Sequence, residues 1–207
     1  MSIDASKVIG QTQRNWDYES PVTEEEIQYL IDISLNAPVK ENHNVYKLFV
    51  STNIEFNQAI QELAYNYGQT GQRAQNTKER NAQVAAPLLM MYVVEDSADT
   101  NVGYGDTCFS IGIAAGATAL ASAEIGYQTG FCSCIHLPGL VEHMKNKFPG
   151  NFLEKFWTSS KIEEVLCLGV GKKNPNINNR SQIVKDGKPK FLTRIKNKTK
   201  PNVLIYK

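Results

Sequence analysis

Asp106–Gly126, DTCFSIGIAAGATALASAEIG, decides the fold. The stretch is apolar or tiny almost throughout, with Gly112, Ala115, Gly116, Ala119 and Ala123 at helical spacings. A helix with so little side-chain volume lets another backbone come very close, so it reads as a buried core helix packed on every side. Gly112 and Gly116 are spaced like a membrane dimer motif, but the unbroken apolar run reads as too short to span a bilayer. The sharper expectation adds that the same helix meets its copy across a dimer seam.

Working upstream, Pro87–Glu95 (PLLMMYVVE) is an apolar run of buried-strand type. Gln69–Arg80 is a polar stretch long enough to be a functional loop. Ile54–Tyr67 is an amphipathic helix closed by Gly68, and Val45–Ser51 is a strand. Thr23-Glu24-Glu25-Glu26 is a capping box with acidic residues at the positive end of a helix dipole. Ile27, Leu30, Ile31 and Leu35 mark the inward face of that helix, and Pro38 limits its length. Downstream, Tyr127–Ile135 is a strand. Pro138 starts a helix with Leu140, Val141, Met144 and Phe148 inward, ended by Pro149. Val165–Val170 is a further buried strand. Asn202–Tyr206 has strand character beyond a long polar connection, which suggests exchange with a partner chain. Helices and strands alternating around one buried helix give an α/β or α+β class.

At 207 residues the chain reads as a single domain, and 42% hydrophobic with 21% charged residues places it among ordinary globular proteins. Met1–Trp16 is polar and has no secretory signal character, and no segment reads as a transmembrane helix. Cys108, Cys132, Cys134 and Cys167 follow no disulfide framework, which points to a reducing cytoplasm. The net charge of +1 hides an asymmetry. Residues 172–207 hold eleven Lys or Arg and one acidic residue, Asp186; the remainder carries eleven basic and twenty acidic residues. Such a tail fits nucleic acid or an arm lying on an acidic body, its own or a partner's. With Phe191 and Tyr206 its only aromatics and no nucleic-acid motif, the arm is favoured.

Cys132, Cys134 and His136 alternate, and His143 follows. On a strand, alternate side chains stand roughly 6.5–7 Å apart, too far to converge on one ion at bonds of about 2.0–2.3 Å. No metal is assigned, and buried cysteines beside a cleft are the better reading. Gly169-Val170-Gly171 lacks the third glycine and the helix of a dinucleotide loop. Asn42-His43-Asn44, where a helix gives way to a strand, is placed either for turn chemistry or to project polar groups into a cleft.

From there the residues resemble the FMN-dependent nitroreductase family. Ala37-Pro38, then Asn42, Asn44, Tyr46 and Phe49-Val50, are similar to its helix end and following strand. Arg14-Asn15-Trp16-Asp17-Tyr18 before Pro21-Val22 resembles its basic N-terminal phosphate motif. The tiny-residue helix runs into Gly126-Tyr127-x-Thr129-Gly130, and Leu168-Gly169-Val170-Gly171 precedes Arg180, both in the family's order. The match spans about residues 10–182. Asn15 and Trp16, Ala117, and Val39 depart from the common pattern.

The resemblance implies an α+β fold, a three-layer α/β/α sandwich with its central sheet around the small-residue helix. It implies one domain over 1–207, with 183–207 a basic arm exchanged with the dimer partner. It also implies a homodimer with FMN in a cleft built by both subunits, reduced by NAD(P)H and reoxidised by an electron-poor small molecule. Arg14, Lys172 and Arg180 are the implied phosphate contacts, with Asn15, Trp16 and Gly171 in the same motifs. Asn42, Asn44, Asn81 and Gln83 suit the flavin's pyrimidine edge. Cys132, Ser133 and Cys134 fall where backbone amides face the reacting flavin nitrogen. His43 is a candidate proton donor; a surface histidine in a turn explains it as well. Dehalogenation, flavin fragmentation, or a flavin-free binding protein on the same fold are the alternatives.

Overall fold

The computed structural model describes residues 13–39, 42, 46–67, 82–95, 103–133, 146, 162–176, 182–185 and 188–191. Helix α1 (Glu24–Leu35) opens with the expected capping box. The Thr23 hydroxyl accepts from the Glu26 amide at 3.3 Å, and the Glu26 carboxylate accepts from the Thr23 amide at 2.9 Å. Strand β1 (Lys47–Ser51) and helix α2 (Ile54–Tyr67) follow, then a 3-10 turn at Ala82–Val84 and strand β2 (Leu88–Glu95). Helix α3 (Tyr104–Glu124) leads into β3 (Gln128–Cys132), and β4 (Ile162–Gly171) completes a four-stranded sheet.

The sheet is antiparallel throughout, in the order β1-β2-β4-β3. β2 and β4 lie inside it, and Leu88–Val94 is buried without interruption, as the apolar run required. Strand alternation gives the two faces different partners. Leu88, Met90, Tyr92, Val94, Leu168 and Val170 form one core with Leu30 of α1 and Ile111, Ala114, Ala115 and Ala119 of α3. On the other face, Phe49 of β1 packs against Phe56 of α2, ring centroids 5.3 Å apart. Asn57 of α2 donates to the Ser51 carbonyl at 3.3 Å and the Ala86 carbonyl at 2.9 Å. Helices therefore cover both faces, the three-layer α+β sandwich expected from the sequence.

The first core is pinned by a chain of hydroxyls. Ser34 donates to Tyr92 at 3.1 Å, Tyr92 to Thr118 at 3.1 Å, and Thr118 to the Ala114 carbonyl at 2.9 Å. Each buried hydroxyl finds an acceptor, which spares the roughly 1–3 kcal/mol that an unpaired buried polar group costs. Tyr46 adds a bond to the Ser34 carbonyl at 2.7 Å and an edge contact to the Tyr92 ring.

Four expectations need correction. α3 is not covered on every side: Phe109 is 71% exposed, Ile113 49% and Leu120 47%. Among the described residues, neighbours lie along the face that carries Ile111, Ala114, Ala115, Thr118 and Ser122, and a methyl carbon added at Gly112 or Gly116 would meet nothing within 4 Å. Gly105–Glu124 is also long and apolar enough to cross a membrane, at a mean hydropathy of 1.2, but 56% of it is buried in the fold as a core helix. Leu35 is 60% exposed, because the inward stripe of α1 runs through Leu30 and Ser34 and the helix stops before it comes round again. Finally, the polar connection after β4 contains two paired strands, β5 (Gln182–Lys185) and β6 (Lys188–Phe191). Lys185 pairs with Lys188 across Asp186-Gly187, a dipeptide that favours two-residue hairpins. Asn202–Tyr206 and all but Asn146 of the helix after Pro138 lie outside the described residues, as do Gln69–Arg80 and Ile135.

Candidate functional site

Three pieces of chain converge on β3 and the end of β4. The N-terminal segment Gln13–Asp17 runs along the edge of β3, with the Gln13 amide donating to the Thr129 carbonyl at 2.9 Å. The Gln13 side chain donates to the Gln128 side chain, and its own carbonyl accepts from the Arg14 and Asn15 amides at 3.0 and 3.3 Å. Past the end of β4, Trp16 bridges Lys173, the Asp17 amide donates to the Lys172 carbonyl at 2.9 Å, and the Asn174 amide donates to the Asn15 carbonyl at 3.0 Å. The 3-10 turn lies on top, tied down by Trp16 Nε1 donating to the Ala82 carbonyl at 2.9 Å.

Glycines make this approach sterically allowed. Gly130 and Gly169 face one another across β3 and β4. A methyl carbon at 169 would fall 1.9 Å from the Gln83 carbonyl oxygen, and one at 130 would fall 2.5 Å from both the Gln13 carbonyl oxygen and Gln83 Cβ. The glycines of these two strands thus let backbone lie directly on the sheet. Gly171 sits in the same way beneath Pro87 and the Trp16 ring.

Gln83 is the most informative of the candidate residues. It is 7% exposed, and its Nε2 donates to the Phe131 carbonyl at 3.0 Å. Its Oε1 is buried with no hydrogen-bond partner among the described residues. Arg14 is half-buried, and burial pulls its guanidinium below its ordinary value, opposed by the nearby Cys132. Cys132 is buried, and the adjoining Phe131 and Ser133 are exposed. Arg14, Gln83, Cys132 and Ser133 are therefore brought to the same end of β3.

Other candidates go elsewhere. Asn15 and Trp16 are buried in the lacing just described and position the segment that carries Arg14. Lys172 stands at the opposite end of β3, its Nζ 5.9 Å from the Tyr127 ring centroid and near the Glu26 carboxylate. Tyr127 and Cys132 are five residues apart, roughly 17 Å of strand, so Lys172 stands well away from the Cys132 end of β3. Glu26 gathers the Tyr127 hydroxyl at 2.8 Å and the Thr23 hydroxyl at 2.7 Å. Burial and this carboxylate push the Tyr127 phenol up to about 12. Asn42 is exposed in a left-handed conformation, φ 57°, which asparagine tolerates. His43, Asn44, Asn81, Cys134, His136, His143 and Arg180 lie outside the described residues. Gln13, fully buried, was not anticipated from the sequence; a glutamine in a polar N-terminal stretch gives no sign of burial.

Solved structures share this fold. An FMN-dependent nitroreductase from Clostridium difficile R20291 superposes with a TM-score of 0.62 at 14% identity, covering 87% of this chain and 95% of that one. A nitroreductase with bound FMN from Desulfitobacterium hafniense DCB-2 gives 0.61 at 20% identity, covering 89% and 99%. Another with bound FMN, from Bacteroides fragilis NCTC 9343, gives 0.60 at 12% identity, covering 90% and 97%. This chain has the nitroreductase fold. No family model and no curated protein matches the sequence. On the nitroreductase fold, the unpartnered Gln83 acceptor is a test of whether FMN suits these residues. A flavin ring offers an imide N–H to such an acceptor and a phosphate to a cation such as Arg14, so the donor and acceptor chemistry fits.

Proposed function

We propose that this chain is an FMN-dependent oxidoreductase of nitroreductase type, working as a homodimer. Bound FMN supplies two-electron chemistry between NAD(P)H and an electron-poor small molecule. The observation that carries the reading is Gln83 Oε1, buried with no partner among the described residues, at the Phe131 end of β3 on this fold. Gln83 would hold the ring through its acceptor, while the Phe131 carbonyl fixes which end of its amide faces the cofactor. Arg14 would meet the cofactor's negative charge, and the Ser133 amide would face the ring. Lys172 supports the site from a distance, by closing the Tyr127–Glu26 cluster. His43 is not needed for this chemistry, since the residues position and screen rather than transfer protons.

Dimerisation is supported by the stripe Phe109, Ile113 and Leu120 on α3, with room for a second backbone at Gly112 and Gly116. The basic arm from 183 onward would lie against the more acidic body of the partner.

Titration of the purified chain with FMN, followed by flavin fluorescence, tests the reading, with NADH or NADPH consumption measured next on a nitroaromatic acceptor. Stoichiometric binding and acceptor-dependent consumption are expected. Gln83→Leu leaves a ring N–H unpaired, worth about 1–3 kcal/mol, so FMN affinity falls about 5- to 150-fold. A folded chain that binds no FMN overturns the proposal.

A further inference from the structure

Gln13 is fully buried, and its side chain is paired at both ends. Its Nε2 donates to the Gln128 side chain on β3, and its Oε1 accepts from the Arg14 amide at 3.0 Å and the Asn15 amide at 3.3 Å. Those two amides belong to the peptide planes on either side of the Arg14 Cα. Each plane is rigid, so one oxygen that holds both also holds φ and ψ of Arg14, and with them the direction in which its side chain leaves the backbone. The Gln13 main chain is fixed in turn. Its amide donates to the Thr129 carbonyl at 2.9 Å, and its carbonyl oxygen occupies space that a methyl carbon at Gly130 would take.

We propose that Gln13 is a positioning residue for Arg14, holding the guanidinium ready for the flavin's phosphate and so making the chain prefer FMN to riboflavin. The assignment rests on the oxidoreductase activity proposed above. Riboflavin has the same ring and ribityl chain without the phosphate, so only FMN gains from a cation held in place. Ordering a long side chain on binding costs affinity, and a backbone fixed beforehand removes part of that cost. Gln83, the proposed ring contact, is held by bonds that do not involve Gln13: Trp16 Nε1 on the Ala82 carbonyl and its own Nε2 on the Phe131 carbonyl. Loss of the Gln13 side-chain bonds therefore acts on the phosphate end of the cofactor and spares the ring end.

Titration of wild type and Gln13→Met with FMN and with riboflavin, followed by flavin fluorescence, tests this. Methionine keeps the length of the side chain and releases the Arg14, Asn15 and Gln128 groups. FMN should weaken about two- to twelvefold, the range that ordering one long side chain covers, and riboflavin should bind as before. In an Arg14→Gln background the same change should weaken FMN no further, since no guanidinium is left to place. Without flavin, the Arg14 and Asn15 amides should exchange with solvent faster in Gln13→Met than in wild type, as read by NMR. Equal losses for FMN and riboflavin, unchanged FMN affinity or unchanged amide exchange each overturn the proposal and leave the oxidoreductase activity standing. A wild type that binds neither flavin overturns both. If Gln13→Met does not fold, Gln128→Ala frees the outer end of the same amide and should lower the preference for FMN over riboflavin; an unchanged preference overturns the proposal.

Discussion

Replacing Gly169 by alanine probes the contact on which the site is built. The new methyl carbon would lie 1.9 Å from the Gln83 carbonyl oxygen and 2.9 Å from Ala86 Cβ. Neither neighbour is the loose end of a side chain. The turn is held by Trp16 Nε1 on the Ala82 carbonyl, by Gln83 Nε2 on the Phe131 carbonyl and by Asn57 on the Ala86 carbonyl. Sheet and turn must separate by roughly 1 Å or more to restore ordinary contact. Overpacking of a tight core costs about 1–3 kcal/mol, and three strained anchors place this case near 3. For a chain of this size that is a fall in Tm of roughly 6–12 °C. Thermal unfolding followed by far-UV circular dichroism measures it, and FMN affinity should drop as well because Gln83 rides on the displaced turn. Gly105→Ala is the control: nothing lies within 4 Å of its added carbon, so stability should be unchanged or raised by up to about 1 kcal/mol. A Gly169→Ala protein within about 0.5 kcal/mol of wild type would refute the close-approach reasoning.

Two further outcomes follow from the described contacts. Burial alone would raise the Glu26 carboxyl, but bonds from the Thr23 backbone and hydroxyl and from Tyr127, with Lys172 nearby, hold it below its ordinary value of 4.5. Its contribution to stability is therefore full above that value and lost as pH falls through the lower folded one. Urea unfolding of wild type and Glu26→Gln should differ at neutral pH, by no more than about 1 kcal/mol in this half-exposed setting, and converge in acid; a gap that persists in acid would contradict this. If the chain forms the proposed dimer through α3, Phe109→Glu with Ile113→Glu should yield monomers by analytical ultracentrifugation and leave the thermal unfolding of each monomer within about 0.5 kcal/mol. Dimers of unchanged strength would place the seam elsewhere.

Local chemistry was legible where it is self-contained. The Thr23–Glu26 box, the unbroken run through β2 and the small-residue helix each specify an element without outside help, and their order carried the resemblance that the fold bears out. What covers an element was not legible: the same sequence of α3 fits burial on all sides or on one, and Phe109 shows that one chain covers only part. Gly169-Val170-Gly171 falls short of a dinucleotide loop in sequence, and the role of its glycines comes instead from a turn more than 80 residues earlier. Lys172 could not be placed by composition, since only the pairing of β3 with β4 sets it beside Tyr127, away from Cys132. The hairpin at 182–191 was announced by Asp186-Gly187 but obscured by lysines and Pro189, which lower strand propensity.

The most direct test of the functional claim is the visible absorption spectrum of the purified chain, recorded before and after NADH or NADPH is added without oxygen. An FMN-dependent oxidoreductase gives a flavin spectrum that bleaches with the nucleotide and returns with a nitroaromatic acceptor. A colourless chain that takes up no FMN on reconstitution, or a bound flavin that stays oxidised with both nucleotides, contradicts it.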